Sequence, residues 1–448
     1  MIALYKILAI IGSFNIGFGL ISLFIKEKCY LSETLIATIV GILIGKHVFN
    51  LVDLKNEISN NFMYEFSRMV ITLQVVAVGA HVPKEYFKRA FKSIFVLLGP
   101  LMLISWVVSS LIIKFVSGFS YTLSFLAGAC VTPTDPVLAS GILKGKFANR
   151  YIPVHLRKLL AFESGANDGL GLPLLAIAIY NLVFKDNSTE IYSNWIYTTW
   201  LYEIGLSIVL GVGIGMGCKI LLCQSKKHHL IDKDSYLAYI LALSFFVSGV
   251  TAMMKIDDIF ACFISGIAFA WCKEEILEEV KESQVMEILD MICSLSFFIF
   301  FGNVFSWSSF SIKNVAIAIF ILLFRRLPFV VLFKKFIPQL YNDKEVFFAG
   351  WYGPIGVGAI FLAEHAKHEL AHSKAGLIIL DNEVVDLIHI IVLFSVILHG
   401  ITAPVVHFHL RRSTKKDPKE LYELSEYSET EGNTHKKQGK ENNSDDDI

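Results

Sequence analysis

The sequence has no excess of charge of either sign: lysine and arginine number 40, aspartate and glutamate 40, and the formal net charge is +0. Nothing in that balance implies the basic face that a nucleic-acid partner requires. Charged residues are also scarce, at 18% of 448 residues against 54% hydrophobic. The seven cysteines, Cys29, Cys130, Cys218, Cys223, Cys262, Cys272 and Cys293, are odd in number and lack the paired short spacing of a zinc site. They read as small apolar packing residues. The thirteen histidines offer no pair at metal spacing on a defined helix; His365, His368 and His372 share a helical spacing but fall at a membrane end, where a pH-sensing role is one reading. No strand precedes the glycine run Gly205, Gly211, Gly213, Gly215 and Gly217, so it suits close helix packing and not a phosphate loop. No small-residue cleavage motif precedes Lys26, so the first apolar stretch is expected to remain as an anchor. No cofactor is expected.

What the chain does have is apolar runs of about twenty residues, with 36 phenylalanines and a mean hydropathy of +0.57. That is the composition of an all-α multi-span membrane protein. Thirteen windows can be placed, at 5–25, 31–46, 65–81, 93–116, 121–143, 157–182, 196–223, 235–254, 258–272, 287–306, 313–333, 345–369 and 386–408. Lysine and arginine crowd the connections after odd-numbered windows, as in Lys84, Lys88, Arg89 and Lys92 or Lys144, Lys146, Arg150, Arg157 and Lys158. Those after even-numbered windows hold only Lys55, Lys185, Lys255, Lys313 and Lys374. By the positive-inside rule the N-terminus is outside and the C-terminus cytoplasmic. Asn187-Ser188-Thr189 then lies in an outer loop, as a chance glycosylation sequon. Residues 1–410 form the transmembrane domain, and 411–448 form a short polar tail, expected to be disordered. Glu203, Glu287 and Asp290 read as interfacial charges.

Two stretches carry polar groups where the membrane makes them costly. Leu159 to Leu174 reads LLAFESGANDGLGLPL, with Glu163, Asn167 and Asp168 in an apolar segment. An ionised side chain in mid-bilayer costs at least ~2.5–3.5 kcal/mol, so carboxylates there are functional candidates. Asn167 lies four residues beyond Glu163, on the same helix face, while Asp168 points about 100° further round. The second stretch, Val131 to Leu138, reads VTPTDPVL. Pro133 and Pro136 remove two amide donors from one helix, which predicts an unwound segment with free carbonyls. Thr132, Thr134 and Asp135 then add oxygen ligands at membrane depth, which suit a small monovalent cation.

TPTDPVLA at 132–139 and PVHLRKLLAFESGANDGLGLPLL at 153–175 resemble the cation:proton antiporter superfamily, most closely the fungal plasma-membrane alkali-cation/H⁺ antiporters. The match continues through Ile256-Asp257-Asp258-Ile259-Phe260-Ala261-Cys262-Phe263, Arg325-Arg326-Leu327-Pro328 and Gly350-Trp351-Tyr352-Gly353-Pro354-Ile355-Gly356-Val357-Gly358, in the same order through nearly all the membrane part. The resemblance implies two inverted six-helix repeats with crossed, broken helices, a homodimer in the lipid bilayer, and a plasma-membrane location. It implies that Asp168 binds cation and proton in turn, with Asn167 beside it and Thr134 and Asp135 on the unwound side of a Na⁺ site. Pro133, Pro136, Gly353 and Pro354 are expected at the breaks of the crossing helices. Glu163 is expected to pair with an arginine at 325 or 326, and the family's spacing favours Arg325. Asp257 and Asp258 are a signature of the fungal group; at the start of the ninth helix they also complement its dipole.

These residues point to secondary active exchange of Na⁺, and of Li⁺ or K⁺, for H⁺. If Asp168 holds either a proton or a cation but not both, and the site faces one side at a time, exchange is obligatory. An aspartate in water titrates near ~3.9, so such a group must be desolvated to trade protons near neutrality. A cation channel is the alternative, although it needs a continuous pore in place of one enclosed carboxylate. An intramembrane aspartyl protease pairs Tyr-Asp with Gly-x-Gly-Asp; neither motif accompanies Asp168 or Asp258, and no enzymatic activity is expected.

Overall fold

With almost no water in a bilayer core to satisfy peptide groups, an apolar chain must close its hydrogen bonds within itself, and helices do this locally. The computed structural model describes residues 2–29, 31–54, 61–136, 138–139, 152–185, 187–271, 285–371 and 383–413, and every regular element among them is helical. Residues 1–401 form one unit and 402–448 another, of which 402–413 are described as the end of the last helix. Cys272, His372, the side chain of Glu287 and the polar tail beyond Ser413 fall outside the described residues.

In chain order the elements are α1 (Ile2–Phe24), α2 (Glu33–Ile44), α3 (Phe62–Ala80), α4 (Lys84–Ser117), α5 (Tyr121–Cys130), α6 (Val154–Val183) and α7 (Ser188–Lys227). They continue as α8 (Lys233–Met253), α9 (Asp258–Ala270), α10 (Val285–Val304), α11 (Ile312–Phe324), α12 (Leu327–Leu332), α13 (Asp343–Trp351), α14 (Val357–Ala371) and α15 (Glu383–Ser413). Helix thus occurs in each apolar window. Among the described residues seven segments are long and apolar enough to cross a membrane: Tyr5–Phe24, Phe62–Ala80, Lys84–Ser117, Val154–Val183, Ser188–Lys227, Ile312–Leu332 and Glu383–Thr402. Shorter apolar helices account for α2, α5, α8, α9 and α10, and the window at 345–369 is split into α13 and α14.

Local sequence sets several of the helix starts. Ser120, Asp257, Ser311 and Asn342 each turn a side-chain oxygen onto the amide three residues on, at 3.2, 2.9, 3.2 and 2.9 Å, and so begin α5, α9, α11 and α13. Gly118, with φ of 82°, ends α4 in the left-handed conformation that glycine adopts without strain.

Small residues let the helices come close. Helix α9 is buried along its length, between α3 on one side and α7 on the other. A Cβ on Gly79 would sit 2.6 Å from the Phe263 carbonyl oxygen, and one on Gly211 2.7 Å from that of Ala261. From the other side, a Cβ on Gly266 would lie 2.5 Å from the Val76 oxygen. Backbone on backbone leaves no flexible atom to yield. Of the glycine run on α7, Gly211 and Gly215 face α9, whereas Gly213 and Gly217 have nothing within 4 Å. Helix α6 packs against α5, α9 and α14, with Glu163 through Gly169 buried. Asp290 is more than an interfacial charge: its carboxylate accepts from Gln74 Nε2 at 2.6 Å and Ser294 Oγ at 3.2 Å, tying α10 to α3.

Gly266→Val should therefore force α3 and α9 apart. A loss of about 1–3 kcal/mol is expected from overpacking, visible as a lowered melting temperature of the purified protein in detergent, whereas Gly213→Val, on an open face, should leave the melt unchanged.

Candidate functional site

Two interrupted helices meet at one point. Helix α5 ends at Cys130; Val131 to Asp135 are not helical, and helical turn resumes at Pro136. The second interruption runs from Tyr352 to Gly356, between α13 and α14. The Asp135 amide donates to the Pro354 carbonyl at 2.8 Å, so the breaks touch directly. Prolines explain the first unwinding, since neither Pro133 nor Pro136 can donate to a preceding turn.

Breaking a helix frees carbonyls at one lip and amides at the other. Arg325 serves the carbonyls. Its guanidinium donates to the oxygens of Val131, Thr132 (3.0 Å) and Pro133 (3.3 Å) at the first break, and to Gly353 oxygen at 2.5 Å at the second. Asp135 serves the amides: one carboxylate oxygen accepts from Leu138 N–H at 3.1 Å, the other from Val357 N–H at the start of α14. A buried cation thus stands at two helix C-termini and a buried anion at two N-termini, the favourable sense of each dipole. Arg325 is 2% exposed and Asp135 1%.

Helix α6 passes beside this crossing. Asn167 clamps Thr134, accepting its amide at 3.2 Å and donating Nδ2 to its hydroxyl at 2.8 Å. The Thr134 hydroxyl also lies 3.0 Å from Ser164 Oγ. Asp168, one residue on, is buried, and neither of its carboxylate oxygens has a hydrogen-bond donor. Among the described residues no other carboxylate has both oxygens buried without a partner. The backbone of α14 lies against it: a Cβ on Gly358 would collide with the Asp168 carboxylate, as one on Gly356 would with that of Asp135. Glycine at these two positions lets the main chain approach both acids.

Glu163 pairs with Arg326, not with Arg325 as the family spacing suggests. Both terminal nitrogens of Arg326 donate to the two carboxylate oxygens, Nη2 at 2.8 Å, and Nε donates to Ala349 oxygen at 2.8 Å. The two arginines occupy the junction of α11 and α12, where consecutive side chains point in different directions. Arg325 therefore reaches into the breaks while Arg326 reaches α6.

Asp257 and Asp258 lie at the start of α9. Asp257 is its N-cap, with Oδ1 accepting from Phe260 N–H and Oδ2 buried without a partner. Asp258 accepts from Arg68 Nε at 2.9 Å and Ser248 Oγ at 3.0 Å, linking α9 to α3 and α8. His365 is stacked on Tyr64 and Phe361 and bonds the Tyr64 hydroxyl at 3.1 Å, which gives it a packing role between α14 and α3. Nothing in the composition of the segment singles out Ser164, yet its spacing of four from Asp168 places both on one face of α6. Among the described residues no three His, Cys, Asp or Glu side chains converge as a metal set. A cation here would take its other ligands from hydroxyl and carbonyl oxygens.

The chain is similar to known proteins along most of its length. The family model for the sodium/hydrogen exchanger, transmembrane, matches residues 16–409. A probable Na⁺/H⁺ antiporter of Schizosaccharomyces pombe is 37% identical over 373 residues, covering 81% of this chain and 49% of the relative. A Na⁺/H⁺ antiporter of Saccharomyces cerevisiae is 35% identical over 372 residues, covering 81% and 38%. This chain thus spans less than half the length of those two relatives. A second Na⁺/H⁺ antiporter of S. pombe is 31% identical over 427 residues, covering 89% of each. The structure of a sodium proton antiporter from Methanocaldococcus jannaschii superposes with a TM-score of 0.68 at 18% identity, over 90% of this chain and 98% of that one; the likeness is one of fold.

The Glu163–Arg326 pair yields a stability test. Glu163→Gln leaves a buried guanidinium without its counter-charge and should cost about 3–5 kcal/mol, while removing both charges with Glu163→Gln and Arg326→Met should restore part of that loss. Thermal melts of the three proteins in detergent measure it.

Proposed function

Because the chain belongs to the sodium/hydrogen exchanger family, we propose that it is a secondary active antiporter exchanging Na⁺ for H⁺ across a membrane, with Asp168 as the shared carboxylate. The observation that carries this reading is the Asp168 side chain, buried at the crossing of two interrupted helices with no donor on either oxygen. Every other role at the crossing has a residue assigned to it. Arg325 and Asp135 satisfy the broken backbones, Asn167 holds Thr134, and Glu163 and Arg326 neutralise each other.

A carboxylate buried without a hydrogen-bond partner is unstable as an isolated anion. It is relieved either by taking a proton or by taking a metal cation, and the two compete for the same lone pairs. In the cation-loaded form Asp168 supplies the charge. The Thr134 and Ser164 hydroxyls, held 3.0 Å apart, supply neutral oxygens. Asp135 adds negative potential while its oxygens hold the two helix starts. In the proton-loaded form the charge is gone and the site can move through the low-dielectric interior. Moving only when loaded makes the flux an exchange.

The same reading places thirteen spans in the membrane as two inverted repeats, the first and last six about a linking span. The broken α5 and the α13–α14 pair then occupy equivalent positions. It gives an outside N-terminus, a cytoplasmic C-terminus, a homodimer and a plasma-membrane location, with Li⁺ and K⁺ as further cargo. Support comes from the charge pattern of the connections and the likeness to the fungal antiporters.

In proteoliposomes, an imposed pH gradient should drive Na⁺ uptake by the native protein, read as dequenching of a trapped pH dye. Asp168→Asn should fold with an unchanged melting temperature and lose at least about a hundredfold in rate; proton-coupled Na⁺ uptake surviving in that variant would overturn the assignment. Flux driven by voltage without a pH gradient would instead indicate a channel.

A further inference from the structure

We propose that His399 and Ser395, on α15, are positioning residues for the cation site: they fix the span of the broken segment between α13 and α14, and so set how closely α14 approaches Asp135 and Asp168. The inference rests on the exchange reading and adds two residues that touch neither acid.

The segment leaves helix at Tyr352 and re-enters it at Val357. On the side facing the crossing, its polar groups are met by Arg325 at the Gly353 oxygen and by the Asp135 amide at the Pro354 oxygen. On the other side, they are met by α15. The Ile355 amide donates to Ser395 Oγ at 2.8 Å. His399 Nε2 lies 3.3 Å from the Trp351 carbonyl oxygen, which can only accept, so a proton on Nε2 ties the ring to the end of α13. Nδ1 lies 3.0 Å from the Ser395 carbonyl oxygen, one turn back on α15, and 3.3 Å from Ser395 Oγ.

The result is a run of polar contacts: Ile355 N–H donates to Ser395 Oγ, which adjoins the His399 ring, and the ring reaches the Trp351 oxygen. It begins in the broken segment at Ile355 and ends four residues earlier on Trp351, the last residue of α13, crossing to α15 in between. Its length therefore sets the distance between Trp351 and Ile355. Packing holds the ring in place: His399 is 3% exposed, and its ring stands edge-on to Tyr352 at 5.9 Å. The Tyr352 hydroxyl in turn donates to the Leu138 oxygen at 3.3 Å, tying the same segment to the turn after the first break.

Immediately beyond Ile355 the chain forms the wall of the site. Val357 N–H caps Asp135, and Gly356 and Gly358 lie so near the two carboxylates that a Cβ on either would collide with them. A shift of about 1 Å in the segment, of the size that costs catalysis orders of magnitude elsewhere, would reach the cation's surroundings before anything else. Loosening the run should therefore change cation affinity with little change in turnover. A residue that merely stabilised the fold would lower the amount of active protein and leave the half-saturating Na⁺ concentration where it was.

The test measures Na⁺-dependent exchange in proteoliposomes for full-length native protein, His399→Leu, Ser395→Ala and His399→Gln, each normalised to folded protein. His399→Leu and Ser395→Ala should each raise the half-saturating Na⁺ concentration by about tenfold, the effect of one hydrogen bond, with maximal rates within about twofold of native. His399→Gln places an amide N–H where Nε2 was and should recover the affinity to within about threefold. Unchanged half-saturation in both disrupting variants, or a fall in maximal rate alone, would overturn the proposal. Should His399→Leu fail to fold, Ser395→Ala decides the question. Exchange absent from the native protein would count against the functional reading, and in that case Na⁺-induced shifts in melting temperature, compared across the same four proteins, test the positioning role by itself.

Discussion

A bilayer gives a peptide group almost nothing to bond to, so a helix can be broken at membrane depth only where the protein itself replaces the lost partners. This constraint governs the centre of the molecule. Two helices are interrupted at one place, and each interruption leaves carbonyls on one lip and amides on the other. The structure meets the demand with one arginine and one aspartate, each serving both breaks: Arg325 takes carbonyls from 131–133 and 353, and Asp135 takes amides from 138 and 357. Because each charge is shared between the two helices, the crossing behaves as one unit.

Satisfying the crossing so fully isolates what is left over. Asp168 lies beside a set of polar groups that already have partners, and it has none. Arg326 does not neutralise it, being held by Glu163 and by the Ala349 carbonyl. Asn167, the next residue, turns both its amide oxygen and its nitrogen to Thr134. The pairs around the site therefore do more than stabilise the fold. They leave this one acid without a counter-charge, with glycines bringing main chain up to it in place of side chains.

Much of this is legible in the chain itself. Pro133 and Pro136 announce a break because a residue without an amide cannot be accommodated silently in a helix. Gly353 and Pro354 do so in the second helix, and Asn167 and Asp168 stand out because apolar neighbours make them expensive. The thirteen windows are legible because twenty apolar residues have one inexpensive conformation in lipid. Matters of direction are not legible. Arg325 and Arg326 are adjacent and identical, and only the turn from α11 into α12 sends one to the breaks and the other to Glu163. Ser164 resembles packing until Thr134 is brought to 3.0 Å from it. Asp290 resembles a surface charge because its partner Gln74 is 216 residues away in the chain. The support of the second break by Ser395 and His399 is likewise a tertiary fact, since nothing in the spacing of α15 says which carbonyl its histidine will face.

The central claim is that a proton and a sodium ion contend for the same carboxylate. Calorimetric titration of the purified protein with Na⁺, repeated across pH in buffers of different ionisation enthalpy, tests it most directly. By linkage, each Na⁺ bound on the acid side should release about one proton, and affinity should fall about tenfold for each unit of pH lowered there. Sodium binding that is independent of pH and releases no proton would contradict the account.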